Sequence, residues 1–210
     1  MRGAGDELIR RLSDELGAAE PEAMARLRAR LVGAARAEGL VDVAYRTLDS
    51  PVGSLLLAAT PVGLVQISFA RAGLDEAVAR LAAEVSPRVL EDARALDEVA
   101  RELDEYFAGR RRRFDLRLDL RLARGFRRAV IERLADIAYG STASYATIAA
   151  AAGSPRAVRA VGTACATNPL PLVLPCHRVV KSDGSIGQYA GGVAAKIALI
   201  ELEANALAGT

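Results

Sequence analysis

The sequence has no tryptophan, only two cysteines and a single histidine in 210 residues. Two cysteines without a secretory segment do not indicate a disulfide scaffold, so we expect a reducing, cytoplasmic location. No apolar run approaches the ~20 residues that a membrane span needs, so we expect no membrane partner. Three Cys and His residues cannot fill a four-ligand zinc site, so we expect no metal, and no cofactor is indicated.

The composition allows a globular fold of one large or two small domains. Hydrophobic residues make up 51% of the chain, which is enough for a substantial core, and the net charge is only +2. That small value hides a basic second half, which contains a run of four arginines at 110–113 and isolated arginines further on. A run of arginines is usually a solvated face, although a basic half is compatible with a polyanionic partner.

The only histidine, His177, follows Cys176 directly. The thiolate is the reactive form of cysteine, and a free thiol is mostly protonated at neutral pH, so a neighbouring base is needed to activate it. The pair therefore indicates a nucleophile with its base. The alternative for the pair alone is a buried structural cysteine beside a satisfied histidine.

The residues around this pair carry a more specific pattern. Pro175-Cys176-His177-Arg178-Val179, followed by residues 181–192, resembles the active-site signature of the O6-alkylguanine-DNA alkyltransferase family. Residues 137–145, residues 156–162 and Asn168-Pro169 resemble the same family in order and spacing. The similarity is close over residues 119–204 and looser over residues 41–118.

The resemblance implies an α+β protein: an N-terminal ribonuclease-H-like α/β domain, then a C-terminal all-helical, winged-helix-like domain with a helix-turn-helix. We expect a scaffold domain over residues 41–118 and a DNA-binding and alkyl-acceptor domain over residues 119–210. Residues 1–40 lie outside the family pattern, and their apolar spacing predicts a two-helix extension of unknown role. Some family members hold zinc in the N-terminal domain, but this chain has neither Cys nor His before position 165.

Local patterns predict the elements of both domains. In the scaffold domain they favour strands over 41–48, 54–60 and 64–69, helices over 74–84 and 92–107, and an alternating strand over 114–120. An apolar run at 170–174 indicates a buried strand ahead of Cys176. In the C-terminal domain the patterns predict helices from 126 to 137, from 145 to 152 with Ser144 as N-cap, from the Ser154-Pro155 link to 166, and from 192 to 206.

The resemblance also assigns chemistry. Cys176 would accept the alkyl group, His177 would activate it through a water molecule, and Glu203 would orient His177. By sequence alone Glu201 is a near alternative, and the family register selects Glu203. Tyr145 would push the 3′ phosphate and protonate guanine N3. Because the thioether product is stable, we expect a methylated-DNA–protein-cysteine methyltransferase that is consumed in a single turnover.

The same resemblance implies how DNA is held. The partner would be double-stranded DNA bearing O6-alkylguanine, with O4-alkylthymine left open, and the protein a monomer, with cooperative binding on DNA also open. Arg159 would enter the base stack as the base flips out, while Ala157, Ala160 and Gly162 approach the minor groove. Further residues would form the hinge and wall the pocket: Asn168, Pro171, Val179, Tyr189, Ala190 and Gly191.

Three other functions fit parts of the pattern. A cysteine peptidase or acyltransferase would use a Cys–His pair, but the ordered DNA-handling blocks disfavour it. A non-catalytic alkyltransferase-like protein that binds alkylated DNA would lack the cysteine, and Cys176 is present. A regulator that uses alkylation as a signal is left open, although no separate regulatory domain is evident. Cys165 is interpreted as a small buried residue of the recognition helix.

Overall fold

The computed structural model describes residues 21–69 and 73–208. The chain divides into two compact units, residues 1–41 and residues 42–210. In the first unit the described residues form one helix, α1 (Pro21–Ala37). This is the second helix predicted for the extension, and the side chains predicted to line its apolar face, Met24, Leu27 and Leu31, are exposed. The first predicted helix lies outside the described residues.

The second unit begins with a four-stranded sheet in the order β3-β2-β1-β4. The first three strands follow one another through tight turns and pair antiparallel. The fourth pairs parallel with β1, which requires a crossover connection, and helix α2 (Leu74–Glu84) provides it. The strand bounds are β1 (Val43–Leu48), β2 (Leu55–Ala59), β3 (Leu64–Phe69) and β4 (Val89–Glu91).

The sheet is covered on both faces. Alternate residues of a strand point to opposite sides, and in β2 both sets are apolar and buried. Leu56 and Ala58 pack with Leu81 of α2 in a small cluster. Leu55 and Leu57 belong to a larger cluster that continues into the C-terminal helices and includes Cys176. The sheet therefore supports the region around Cys176 directly.

Helix α3 (Asp97–Phe107) covers part of the larger cluster. The sequence predicted one helix over 92–107, but the structure begins with a separate 3-10 turn, Ala93–Leu96. Leu103 and Tyr106 of α3 are completely buried. Tyr106 consequently reaches the interior with a polar hydroxyl that requires a partner there.

The strand predicted over 114–120 is wrong. Only an isolated bridge joins Leu118 to Leu64, and a short 3-10 helix, Leu120–Leu122, follows. Two backbone hydrogen bonds join this segment to Leu64. The Leu64 N–H donates to Arg117 O at 2.8 Å, and the Asp119 N–H donates to Leu64 O at 2.8 Å. The alternation arises because one side of an extended segment packs on the core, which does not require a neighbouring strand.

The rest of the unit consists of helices and connecting loops, with one short parallel ladder, β5 (Ala143–Ser144) with β6 (Val179–Val180). Ser144 caps α5 as predicted, its hydroxyl accepting from Thr147 N–H. The predicted start of the next helix at Ser154-Pro155 is wrong: these residues form a turn, and the helix begins at Val158. The helix bounds are α4 (Gly125–Leu134), α5 (Tyr145–Ala151), α6 (Val158–Ala166) and α7 (Val193–Ala208).

No helix in the described residues combines the length and apolar character needed to cross a membrane.

The strand predicted over 170–174 is also wrong, although nearly all of the run is buried. Leu172 has a φ of 75° and Leu174 N–H donates to Leu170 O at 2.8 Å, so the chain turns here. The Asn168 side chain stabilises the turn, accepting from Leu170 N–H at 3.0 Å and donating to Leu174 O at 2.7 Å. An apolar run indicates burial but does not distinguish a strand from a turn closed by an upstream side chain.

Candidate active site

Cys176 and His177 lie in a 3-10 turn, Cys176–Arg178, that follows Pro175. Cys176 is 2% exposed and His177 is completely buried. In an extended backbone adjacent side chains point to opposite faces, whereas this turn bends the chain directly after Cys176. The turn sits between the Asn168 loop and β6, so packed elements hold it on both sides.

The carboxylate of Glu203, on the last helix, is the polar centre of the site. It is 1% exposed and lies 2.8 Å from His177 Nε2. Tyr106 donates its hydroxyl to Oε1 at 2.7 Å, and Gly140 donates its N–H to Oε2 at 2.9 Å. Arg178 donates from Nε and from a terminal nitrogen, the shortest of these bonds being 2.9 Å.

These donors keep Glu203 ionised. Burial alone would raise the pKa of this carboxyl, but the hydrogen bonds from His177 and Arg178 outweigh burial and lower its pKa to about 2. Glu201, the alternative considered from the sequence, is exposed two residues earlier on the same helix. Glu203 is therefore an ionised carboxylate held by several hydrogen-bond donors.

The contact with Glu203 determines which nitrogen of His177 can act as a base. A carboxylate only accepts, so Nε2 carries the hydrogen, and Nδ1 of a neutral ring is then an acceptor. Burial, together with the charges of Arg178 and Lys196, lowers the pKa of His177 although Glu203 raises it, and this favours the neutral ring. Nδ1 is buried and has no hydrogen-bond partner among the described residues. It is therefore the nitrogen available to take a proton from Cys176.

Sequence reasoning missed three members of this cluster: Tyr106, Gly140 and Arg178. Arg178 stands beside the histidine in the sequence, and its guanidinium also donates to Ile137 O at 2.6 Å. That adjacency was a usable signal, since a buried arginine needs a carboxylate. Tyr106 gave no such signal, because it precedes Glu203 by 97 positions.

The thiol of Cys176 is protonated in the resting site. Burial raises its pKa to about 11, and a hydrogen bond from Asn168 and the charge of Lys196 counteract this only in part. Burial likewise raises the pKa of Cys165, on α6, to about 12. Formation of the thiolate therefore requires a base.

The residues expected to wall a pocket lie around this turn with different exposures. Pro171, Val179 and Tyr189 are buried, whereas Ala190 is exposed. The Tyr189 ring makes edge contacts with His177 at 6.3 Å and with Phe69 of β3 at 5.5 Å between centroids. A Cβ added to Gly191 would lie 2.7 Å from the Phe69 ring, so the close approach at this glycine is to Phe69. The chain next to Asn168, the expected hinge, is hydrogen-bonded to the sheet, because Ile67 N–H donates to Pro169 O at 2.7 Å.

The expected DNA-handling residues lie on α5 and α6. Tyr145 is the first residue of α5 and is half-buried, while Arg159 on α6 is exposed. On the same helix Ala160 is exposed and Gly162 is partly exposed, as is Ala157, the residue that precedes the helix. The small-residue surface and Arg159 therefore face outwards, whereas Cys176 and its partners lie inside.

Some of the described arginines form ion pairs with acidic side chains, and others do not. Arg111, from the run of four, pairs with Glu105 at 2.8 Å and Glu102 at 3.3 Å. Within the described part of the chain, Arg156 and Arg159 form no ion pair with an acidic side chain. Arg156 and Arg159 thus place unpaired positive charge just before and on α6, where a polyanion could approach.

Two family models match the chain. The ribonuclease-like domain of 6-O-methylguanine DNA methyltransferase matches residues 43–120, and the DNA-binding domain of the same family matches residues 125–205. Together they cover the sheet and the C-terminal helices.

Proteins of known identity match over most of their length. A methylated-DNA–protein-cysteine methyltransferase of Methanosarcina barkeri is 37% identical over 163 residues, covering 78% of this chain and 98% of the relative. One from Mycobacterium bovis is 39% identical over 159 residues, covering 76% of this chain and 91% of the relative.

Solved structures agree with these sequence relatives. The O6-methylguanine methyltransferase of Mycobacterium tuberculosis has a TM-score of 0.68 at 38% identity, covering 78% of this chain and 93% of that chain. A structure of Mycobacterium tuberculosis OGT in complex with DNA has a TM-score of 0.67 at 37% identity, covering 78% of this chain and 94% of that chain. The chain therefore belongs to the methylated-DNA–protein-cysteine methyltransferase family.

Proposed function

We propose that this protein repairs O6-alkylguanine in double-stranded DNA by transferring the alkyl group irreversibly to Cys176. The observation that carries the proposal is the buried Glu203–His177 pair beside a buried thiol, with the His177 Nδ1 atom left as acceptor. This arrangement can form a thiolate inside a closed site. The thioether formed on the sulfur is stable, so each molecule acts once.

The chemical step moves one proton and one alkyl group. His177 takes the Cys176 proton, through a bridging water, and the sulfur attacks the alkyl carbon while the bond from that carbon to guanine O6 breaks. Guanine leaves with the electron pair and receives a proton at N3 from the Tyr145 hydroxyl. The proton held on His177 then restores the tyrosine through solvent, so that the thiol proton ends on guanine.

The DNA-handling step precedes the chemistry. Guanine O6 is inaccessible inside a duplex, so the nucleotide must leave the stack at a cost of a few kcal/mol. The exposed Arg159 has a planar guanidinium that can replace the base by stacking and hydrogen bonding. Ala157, Ala160 and Gly162 leave a low surface on α6 that suits close approach to the minor groove.

The remaining residues shape the pocket. Asn168 bridges Leu170 N–H and Leu174 O and so fixes the turn that leads to Cys176. Pro171, Val179, Tyr189, Ala190 and Gly191 would wall the base and the alkyl group. We propose that the protein acts as a monomer in the cytoplasm.

The test measures how much O6-methylguanine in the DNA is converted to guanine. A duplex with one O6-methylguanine is mixed with an equal amount of protein, and the nucleosides are quantified after digestion. We expect O6-methylguanine to become guanine with the wild-type protein and to persist with Cys176→Ala, while both proteins bind the duplex. Persistence of O6-methylguanine with folded, DNA-bound wild-type protein would favour the non-catalytic alternative, in which the protein only binds alkylated DNA.

A further inference from the structure

Lys196, on α7, is a buried cation that has no role in the proton and alkyl transfer proposed above. Only two of the chain's 28 basic Lys and Arg residues are lysines, and they are Lys181 and Lys196. Lys181 is exposed, whereas Lys196 is completely buried. Among the lysines and arginines that the structure describes, the most buried is therefore a lysine.

Arg178, the other buried cation of the site, has an acidic partner, and Lys196 has none among the described residues. Arg178 is neutralised by the Glu203 carboxylate at 2.9 Å. Lys196 forms no ion pair with an acidic side chain in the described ranges, and its Nζ donates to the Val179 carbonyl at 2.5 Å. A buried charge without a counter-ion is costly, and such groups are usually paired. A partner that becomes negative only during the reaction would account for this arrangement.

The groups around Lys196 include such a partner. Val179, whose carbonyl holds the ammonium, directly follows the Cys176–Arg178 turn. The ammonium also lies over the Tyr145 ring, 5.9 Å from its centroid. The ionisable groups that interact with it electrostatically are the Cys176 and Cys165 thiols and the His177 ring. Of these, Cys176 is the one that must become an anion for alkyl transfer.

We propose that Lys196 supplies the fixed positive charge that stabilises the Cys176 thiolate during alkyl transfer. The proposal rests on the acceptor role proposed for Cys176. Lys196 gives up no proton in the step: His177 takes the thiol proton, and the ammonium compensates the charge left on sulfur. In the buried site this attraction is much stronger than in water. The charge of Lys196 lowers the pKa of the Cys176 thiol, as stabilisation of the thiolate requires.

A first test uses the unaltered protein. Burial lowers the pKa of Lys196, so whether the side chain is charged at neutral pH decides the proposal. Labelling with 15N-lysine gives only two side-chain signals, and exposed Lys181 serves as the internal reference. We expect the Lys196 signal to be that of an ammonium at pH 7.5. A neutral amine at that pH would overturn the proposal.

A second test removes the charge. Lys196→Met retains an unbranched side chain, and Lys196→Gln retains a donor for the Val179 carbonyl. Lys181→Met is the matched control, since it lowers the net charge equally at an exposed position. The rate of iodoacetamide reaction at Cys176 is measured against pH and assigned by peptide mapping, which excludes Cys165. Methyl transfer from O6-methylguanine duplex is measured in parallel.

We expect both Lys196 variants to transfer methyl at least about tenfold more slowly at pH 7, and their thiol reactivity to rise at a pH at least about one unit higher. Lys181→Met should match the wild type in both assays. Wild-type thiol pH profiles in both folded variants would overturn the proposal, as would a Gln variant that keeps the wild-type rate while Met loses it. The thiol profile needs no DNA, so it tests Lys196 even if the wild-type protein does not repair DNA.

Discussion

Replacing Glu203 by Gln tests the centre of the site, because this change alters stability and chemistry together. The carboxyl has a pKa of about 2 in the folded protein, against an ordinary value of 4.5. A tenfold change in an ionisation constant corresponds to about 1.4 kcal/mol, so ionised Glu203 contributes roughly 3 kcal/mol to the free energy of unfolding at neutral pH. The variant also leaves buried Arg178 without an anion, and breaking a buried pair in this way typically costs about 3–5 kcal/mol.

The pH dependence gives the same prediction a second readout. The folded-state pKa of Glu203 lies below the unfolded value, so its contribution is complete above about pH 4.5 and is lost as pH falls towards 2. Burial also lowers the pKa of His177, so the wild-type protein begins to lose stability below about pH 6.5. In Glu203→Gln the loss between about pH 4.5 and 2 should become smaller by the contribution of Glu203, while other carboxyls with a lowered pKa, such as those of Asp42 and Asp119, still lose theirs.

The assay is urea unfolding followed by circular dichroism at a series of pH values. Glu201→Gln is the matched control, since it makes the same change at an exposed position on the same helix. We expect the control to stay within about 0.5 kcal/mol of the wild type. A free energy of unfolding for Glu203→Gln within about 1 kcal/mol of the wild type at pH 7 would refute the reasoning, given the scale of a broken buried ion pair.

Three further predictions concern other parts of the molecule. Deleting residues 1–40 should leave the rate of methyl transfer nearly unchanged, because no proposed site residue lies there; a large loss in a folded truncation would contradict this. Arg159→Ala should slow repair of duplex DNA much more than reaction with free O6-benzylguanine, which requires no flipping. Equal losses of rate on both substrates would instead mean that Arg159 maintains the structure of the pocket. Tyr106→Phe, measured by urea unfolding, should cost about 1.5–3 kcal/mol, because it removes a buried hydrogen bond to a charged group. A cost below about 0.5 kcal/mol would mean that the Glu203 contact contributes little.

Local signals in the sequence predicted much of the fold. Strands β1 to β3 and helix α2 follow from alternation, helical spacing and turn residues, and Ser144 is the N-cap that its position suggests. These features depend on neighbours within a few positions. The segment at 114–120 has the same alternation but no ladder, because its pattern reflects one-sided packing. The run at 170–174 turns instead of extending, because the upstream Asn168 supplies the bonds of the turn.

The site was predictable only where its residues stand together in the chain. Cys176 and His177 are adjacent, and the resemblance supplied Glu203. Tyr106 comes from the ribonuclease-like part of the chain, and its contact with Glu203 depends on the fold. The ribonuclease-like part of the chain therefore contributes a hydrogen-bond donor to Glu203, which no spacing within the C-terminal motifs could reveal.

The most direct test of the central claim is the intact mass of the protein after reaction with excess O6-methylguanine duplex. The account predicts that each molecule gains a single methyl group, that peptide mapping places it on Cys176, and that Cys176→Ala gains none. The amount of guanine restored should equal the amount of protein and stop there. Methylation of Cys165, an unmodified protein beside repaired DNA, or several guanines restored per molecule would contradict the account.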